Sequence, residues 1–144
     1  MNLELSIIDY TSPIYSEVLL LRQQVLRKPL GLDLFSEDLS DEKNQYIVIA
    51  KNHDTIIGCL LIKIIDQITV KFRQMAVDPM HQHKGVGQII IGYAENFCLL
   101  NEYSSITLHA RISAQKFYTK LNYQSQGELF EEVGIPHIFM YKNL

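Results

Sequence analysis

The sequence predicts a mixed α/β fold with the element order β-α-β-β-β-α-β-α-β-β. Three observations predict it. Short runs rich in Ile, Val, Leu and Thr, bounded by turn residues, recur along the whole chain. Apolar residues at helical spacing interrupt them three times. The connections alternate between hairpin turns and helical crossovers.

Leu3 to Ile8 is β-rich and ends at Asp9, so it reads as the first strand. Thr11-Ser12-Pro13 is a helix start, with hydroxyl caps before Pro at the first helical position. Ile14, Val18, Leu21, Val25 and Leu26 then recur at helical spacing to about Arg27, where Pro29 and Gly31 stop the helix. On this reading Arg22 and Arg27 lie on a solvated face. Lys28 to Asp41 is loop with one short helical turn. Tyr46 to Ala50 and Thr55 to Ile65 are strands joined by the turn Asn52-His53-Asp54.

Asp66-Gln67 reverses the chain into a strand from Ile68 to Val77. Val70 and Phe72 alternate with Lys71 and Arg73, but after Gln74 the apolar phase moves to Met75 and Val77. Strand side chains change face at every residue, so the slip predicts a bulge or splay near Arg73–Gln74. Gly85 to about Leu100 is a helix with Val86, Ile89, Ile90, Tyr93, Ala94, Phe97 and Leu100 on one broad face. Ser105 to Ala110 is a strand. Ser113 caps a short helix, and Gln124 to Phe130 and Pro136 to Lys142 are the last two strands, joined around Gly134.

The chain has 144 residues and a mass of 16.6 kDa, which fits one domain spanning 1–144. A domain of this size buries roughly 68–70% of its unfolded surface and needs no disulfide or metal to build a core. Cys59 and Cys98 show no metal-ligand spacing and read as buried free thiols. No secretory signal is visible at the N-terminus, and the most apolar stretch, Ile56 to Ile65, falls well short of the ~20 residues of a membrane span. A cytoplasmic protein is expected. With a net charge of −3 and a pI near 5.9, there is no bulk positive field for nucleic acid or an anionic membrane. An anionic ligand would have to be held by a local device.

Met75 to Gln88 carries such a device. A strand ends, a tight loop follows, and a helix begins with glycines at 85 and 87. The first turn of a helix leaves N–H groups without intrahelical partners and carries partial positive charge. Glycine lets backbone approach a bulky anion, and His81, His83 and Lys84 add local positive character. The spacing fits neither the Walker P-loop nor GxGxxG. On spacing alone, a phosphate site and an unliganded glycine-rich helix start both stand. Tyr118, on spacing alone, reads as a core aromatic.

Gln82-x-x-Gly85-x-Gly87 after Val77-Asp78-Pro79 resembles the coenzyme A signature [Q/R]-x-x-G-x-[G/A] of the GNAT superfamily of N-acetyltransferases. Ala114-Gln115-Lys116-Phe117-Tyr118-Thr119-Lys120-Leu121-Asn122-Tyr123 resembles the A-x-x-F-Y-x-K-L-G-F helix of that family. Gly134-Ile135-Pro136-His137-Ile138-Phe139-Met140 resembles the tail of a bacterial subgroup of uncertain substrate. The resemblance covers nearly the whole chain. It implies the GNAT fold, a mixed, mostly antiparallel sheet flanked by helices, and acetyl-CoA as co-substrate with no metal.

It also implies roles. Backbone at Met75, Ala76 and Val77 would meet the pantetheine arm, and the amides of Gln82, His83, Lys84, Gly85, Val86, Gly87 and Gln88 would cradle the pyrophosphate. Tyr118 would serve both as cofactor contact and as general acid to the departing thiolate. Two positions depart from the pattern. Asn122 stands where Gly is usual, and Asn is the next best residue for a left-handed helix cap. Arg111 stands where an Asn often contacts the cofactor, with reach to a phosphate as its alternative.

The implied reaction is direct attack of a primary amine on the thioester. The acceptor is a small molecule or peptide of unknown identity. Freeing an amine of pKa ~10.4 at pH 7 costs roughly 4.6 kcal/mol, which calls for a base or a water chain. The strand Val70 to Val77 holds no acid, so the strand-glutamate version found in some family members is excluded. His109 and His137 are the base candidates, each with a structural reading beside it, and Glu128 is a weaker one. Glu128, Glu131 and Glu132 would either attract a cationic substrate or form solvated surface. The family suggests a homodimer, and the residues leave the oligomeric state open. The alternatives are a non-catalytic acyl-CoA sensor and a different phosphate-ligand enzyme on a similar strand–loop–helix.

Overall fold

A computed structural model describes residues 1–144. The strands are β1 (Leu3–Ile8), β2 (Tyr46–Asn52), β3 (Thr55–Ile64), β4 (Thr69–Val77), β5 (Ser105–Arg111), β6 (Gln124–Glu132) and β7 (Ile135–Asn143). The helices are α1 (Tyr15–Arg22), α2 (Val86–Leu100) and α3 (Gln115–Lys120), and their order along the chain is the expected one. The strands form one seven-stranded sheet in the order β1-β2-β3-β4-β5-β7-β6. All neighbours are antiparallel except β4 and β5, which are parallel because α2 makes the crossover between them. This is the mixed, mostly antiparallel sheet flanked by helices that the resemblance implies.

The most apolar run of the sequence lies inside the sheet. On β3, Ile57, Leu60 and Ile62 pack under α2 and α3, while Ile56, Cys59 and Leu61 pack under α1. β2 divides in the same way, with Val48 and Ala50 on one face and Ile47 and Ile49 on the other. Both faces of these strands are covered, so their sequences run nearly unbroken in apolar residues. Gly58 permits the close approach of α2, since a Cβ there would lie 2.5 Å from Ile90 Cδ1. No helix is long and apolar enough to cross a membrane.

Several expectations shift. α1 begins at Tyr15, with Ser12 Oγ accepting from Ile14 N–H, and beyond Arg22 it continues as a wider π-helical turn over Gln23–Arg27. Three short 3₁₀ turns, not one, shape the segment from Lys28 to Asn44, at Lys28–Leu30, Leu34–Ser36 and Ser40–Asn44. The buried face of α2 is Val86, Ile90, Ile91, Ala94 and Cys98, whereas Ile89, Tyr93 and Leu100 are exposed. Val86, Ile90, Ala94 and Cys98 recur every four residues with Ile91 beside them, and this stripe packs on β2–β4. Both cysteines are free and buried, and burial pushes each thiol pKa up to about 12.

Arg22 and Arg27 are not on a solvated face. Arg22 is 1% exposed and holds Glu42 through two 2.7 Å hydrogen bonds, with the Tyr15 hydroxyl donating to the same carboxylate at 2.6 Å. Arg27 pairs with Glu37 at 2.7 Å. Arg22 follows Val18 and Leu21 on the buried face of the helix, and its charge is met there by a loop residue twenty positions away.

Candidate active site

Two neighbouring parallel strands part to make the site. β4 and β5 pair only from Thr69 to Phe72 and from Ser105 to Leu108. Beyond Phe72 the β4 backbone bulges: Leu61 faces Arg73, but Cys59 faces Ala76, and Gln74 adopts φ +56°. A non-glycine residue at positive φ is costly, and bulges with such residues recur where a strand is re-aimed beside a site. The bulge stands where the apolar phase slips. Asp78 N–H donates to the Ile57 carbonyl at 2.7 Å, which fixes the alternation of the strand end. Met75 and Val77 therefore turn their backbone groups away from β3, into the gap that β5 has left.

The loop after β4 is braced from within. Asp78 accepts from Met80 N–H and pairs with His81 Nδ1 at 2.8 Å, and Gln82 Nε2 donates to the Val77 carbonyl at 2.9 Å. His81 is thus engaged in holding the turn, and the Gln82 side chain latches the loop to the strand end. Gly85 follows at φ +84° as the cap of α2, in a conformation that glycine adopts without cost.

None of the backbone N–H groups of Gln82, His83, Lys84, Gly85, Val86, Gly87 and Gln88 finds an acceptor in the protein; the first bond of α2 is Ile89 N–H to the Gly85 carbonyl at 3.1 Å. No side chain caps the helix, and nothing lies within 4 Å of where a Gly85 Cβ would stand. This run of unpaired donors at a helix start is an anion cradle. It borders a groove of about 610 Å³ lined by Val25, Met75 to Val77, the loop from His81, and Phe117. Gly87 keeps that groove narrow: a Cβ there would meet Met75 Cε at 3.1 Å and Phe117 Cζ at 3.2 Å.

The groove continues between the parted strands into a smaller cavity of about 170 Å³. Tyr118 lies here, 7% exposed, held edge-on between Phe117 and Tyr123. Burial alone pushes its pKa up to about 12, and no hydrogen bond within the protein offsets that. The phenol is a protonated donor lining the cleft. Arg111 lines the same cavity, and its guanidinium donates to the Leu26 carbonyl at 2.8 Å. It straps β5 to the π turn after α1 and does not line the groove beside the amide cradle.

A third cavity, of about 230 Å³, opens on the far side and shares Arg27, Phe72, Arg73, Gln74 and His109 with the second. His109 lines both. Its Nδ1 lies 2.9 Å from Glu132 Oε1 and 3.5 Å from Lys71 Nζ. A carboxylate only accepts, so the shorter contact makes Nδ1 the donor and leaves Nε2 with a free lone pair. Burial opposes the Glu132 charge, but His109, His137 and Lys71 outweigh it and hold the carboxyl below its ordinary value.

His137 is placed differently. It is 3% exposed and lines none of these cavities; its Nδ1 donates to the Ile135 carbonyl at 2.9 Å, and its ring stacks on Phe130. Glu128 is exposed on the edge strand β6, away from the cleft. Met75, Ala76, Val77, the 82–88 loop, Tyr118 and His109 are brought together, while His137 and Glu128 are not. Glu132 stands out in the sequence only as one member of the acidic run at 128–132, which gives no sign of which member turns inward to His109.

The family model of the GNAT acetyltransferase domain matches residues 15–144. The chain belongs to the GNAT family, a class of N-acyltransferases. Among its relatives, the uncharacterized protein YyaT of Bacillus subtilis is 30% identical over 113 residues, spanning 78% of this chain and 75% of that protein. Among solved structures, an aminoglycoside 6'-N-acetyltransferase complexed with coenzyme A superposes with a TM-score of 0.80 at 15% identity, over 97% of this chain and 96% of that one. A GNAT family acetyltransferase from Elizabethkingia anophelis with acetyl-CoA bound gives a TM-score of 0.75 at 18% identity, over 99% of each chain. At such identities the two structures establish a shared fold.

Proposed function

We propose that the protein, acting as a single domain, transfers the acetyl group of acetyl-CoA to a primary amine by direct attack. The observation that carries this reading is the run of seven acceptor-less amides from Gln82 to Gln88 at the mouth of a groove that leads to Tyr118. Coenzyme A and acetyl-CoA in the two related folds support the choice of co-substrate.

In this reading the pyrophosphate lies on the amide cradle, and the pantetheine arm runs along the open backbone edge of Met75 to Val77. A strand-edge N–H on that side meets the thioester oxygen and the oxyanion that develops on it. The acceptor nitrogen enters from the His109 side. Its free amine attacks the thioester carbon, the new C–N bond forms, and the C–S bond breaks. The surplus proton on nitrogen passes to His109 Nε2, with Glu132 holding the ring in that tautomer. The departing thiolate takes the proton of Tyr118, and solvent carries the proton on His109 back to the phenolate. The products are the N-acetylated amine and coenzyme A.

The test is release of free thiol from acetyl-CoA with a panel of amines, compared with Tyr118→Phe. Amine-dependent release that falls in the variant supports the reading. Tight binding of acetyl-CoA with no amine-dependent release would instead identify a sensor.

A further inference from the structure

We propose that the acceptor carries an acid group, a carboxylate or phosphate, beside the amine that is acetylated. The inference rests on the acyl-transfer reading and names the substrate class of that site. The chain as a whole is acidic, yet the acceptor side of its cleft is basic. Arg27, Lys71, Arg73 and Arg111 line the two cavities that meet at His109, and Glu132 is the one acid among the lining residues.

The cations differ in how far the protein satisfies them. Arg27 is spent on Glu37, which lies outside both cavities. Arg73 donates to the neutral Gln45 side chain at 2.7 Å and stands 3.9 Å from Glu42, a carboxylate already committed to Arg22. Lys71 approaches only the His109 ring and Arg111 only a backbone carbonyl; both feel the Glu132 charge, but neither hydrogen-bonds a carboxylate. Burial depresses the pKa of Lys71, Arg73 and Arg111 alike, so each would gain from an incoming anion.

An ammonium group alone is repelled by such a wall. An amine tethered to an anion is held by the anion, while the nearby positive charges favour the free-base form of its nitrogen, the form that attacks. The same charges thus recruit the substrate and lower the cost of freeing its nucleophile. The acidic run at 128–132, taken alone, would favour a cationic acceptor; only Glu132 of that run reaches the cleft, and His109 engages it.

The test compares matched amines in the thiol-release assay: α- and β-amino acids against their carboxamides, and aminoethyl phosphate against ethanolamine. A carboxamide lowers the pKa of its α-amine and raises the free-base fraction, so intrinsic reactivity favours the neutral member. We expect kcat/KM to favour the acid member of at least one pair by about tenfold or more, and the preference to collapse in Lys71→Met and in Arg111→Met. The carboxylate and phosphate arms separate the two acid groups. Lys71 is only half-buried and makes no ion pair, so its variant keeps the test readable if Arg111→Met fails to fold. Equal or better turnover of the neutral members overturns the inference and leaves acyl transfer standing. Absence of thiol release with every amine removes the transfer reading and this inference with it.

Discussion

Glu132 Oε1 lies 2.9 Å from His109 Nδ1, reaching across from the edge strand β6 to a residue two strands away. This pairing makes Nδ1 the donor to the carboxylate, and in the proposed reaction Nε2 then takes the proton of the amine. His109→Ala should lower kcat about 10²-fold or more, within the range of a general base. Glu132→Gln should fall between that variant and the wild type, since the amide can still hold the ring through its oxygen. His137→Asn should leave kcat near wild type and show its effect in thermal stability. A larger loss of kcat in His137→Asn than in His109→Ala would reverse the assignment.

Tyr118 is a buried phenol with a pKa pushed up to about 12. It stays protonated through neutral and mildly basic pH, as a proton donor must. Tyr118→Phe should lower kcat about 10²-fold with little change in KM for acetyl-CoA. The kcat profile of the wild type should show no descending limb from this group below about pH 10. Steady-state kinetics across pH 6 to about pH 10 tests both statements.

Gly85 holds φ +84° with open space where a Cβ would go. Gly85→Ala should cost about 1 kcal/mol of stability from backbone strain and should weaken coenzyme A binding. Gly58→Ala should act in the opposite way. Its Cβ would strike Ile90 Cδ1, costing about 1–3 kcal/mol by overpacking, with coenzyme A affinity per folded molecule nearly unchanged. Denaturant melts and calorimetric titration separate the two.

Arg22 and Glu42 form a buried ion pair that ties α1 to the loop before β2. Glu42→Gln should destabilise by about 3 kcal/mol, because it leaves the guanidinium buried without its counter-charge. Burial opposes the Glu42 charge, but Arg22 and Tyr15 outweigh it and hold its pKa below the ordinary value. The stability it contributes is therefore full above the unfolded carboxyl pKa of ~4.3 and is lost as pH falls through the lower folded value. Acid unfolding of Glu42→Gln should be shallower in pH than that of the wild type.

Features set by neighbours in sequence were legible, and features set by distant partners were not. The slip of apolar phase after Arg73 located the bulge at Gln74, and the Gly85-x-Gly87 helix start located the amide cradle, because each depends on a few consecutive residues. Arg22 and Arg27 were misread because a charge on a helix is solvated unless a partner covers it, and their partners come from the loop at Glu37–Glu42. Ile89, Tyr93 and Leu100 share an apolar surface by periodicity, but the sheet covers the stripe beside it. Glu132 reaches His109 only through the order of β5, β7 and β6, which no local pattern encodes.

In the proposed reaction the amides from Gln82 to Gln88 bind the pyrophosphate of coenzyme A. Titration of ¹⁵N-labelled protein with coenzyme A, followed by amide chemical shifts, tests it most directly. These seven amides should move downfield, as new donors to phosphate oxygen, and show the largest changes outside the cleft itself. Coenzyme A binding that leaves the amides of Gln82 to Gln88 unmoved would contradict it.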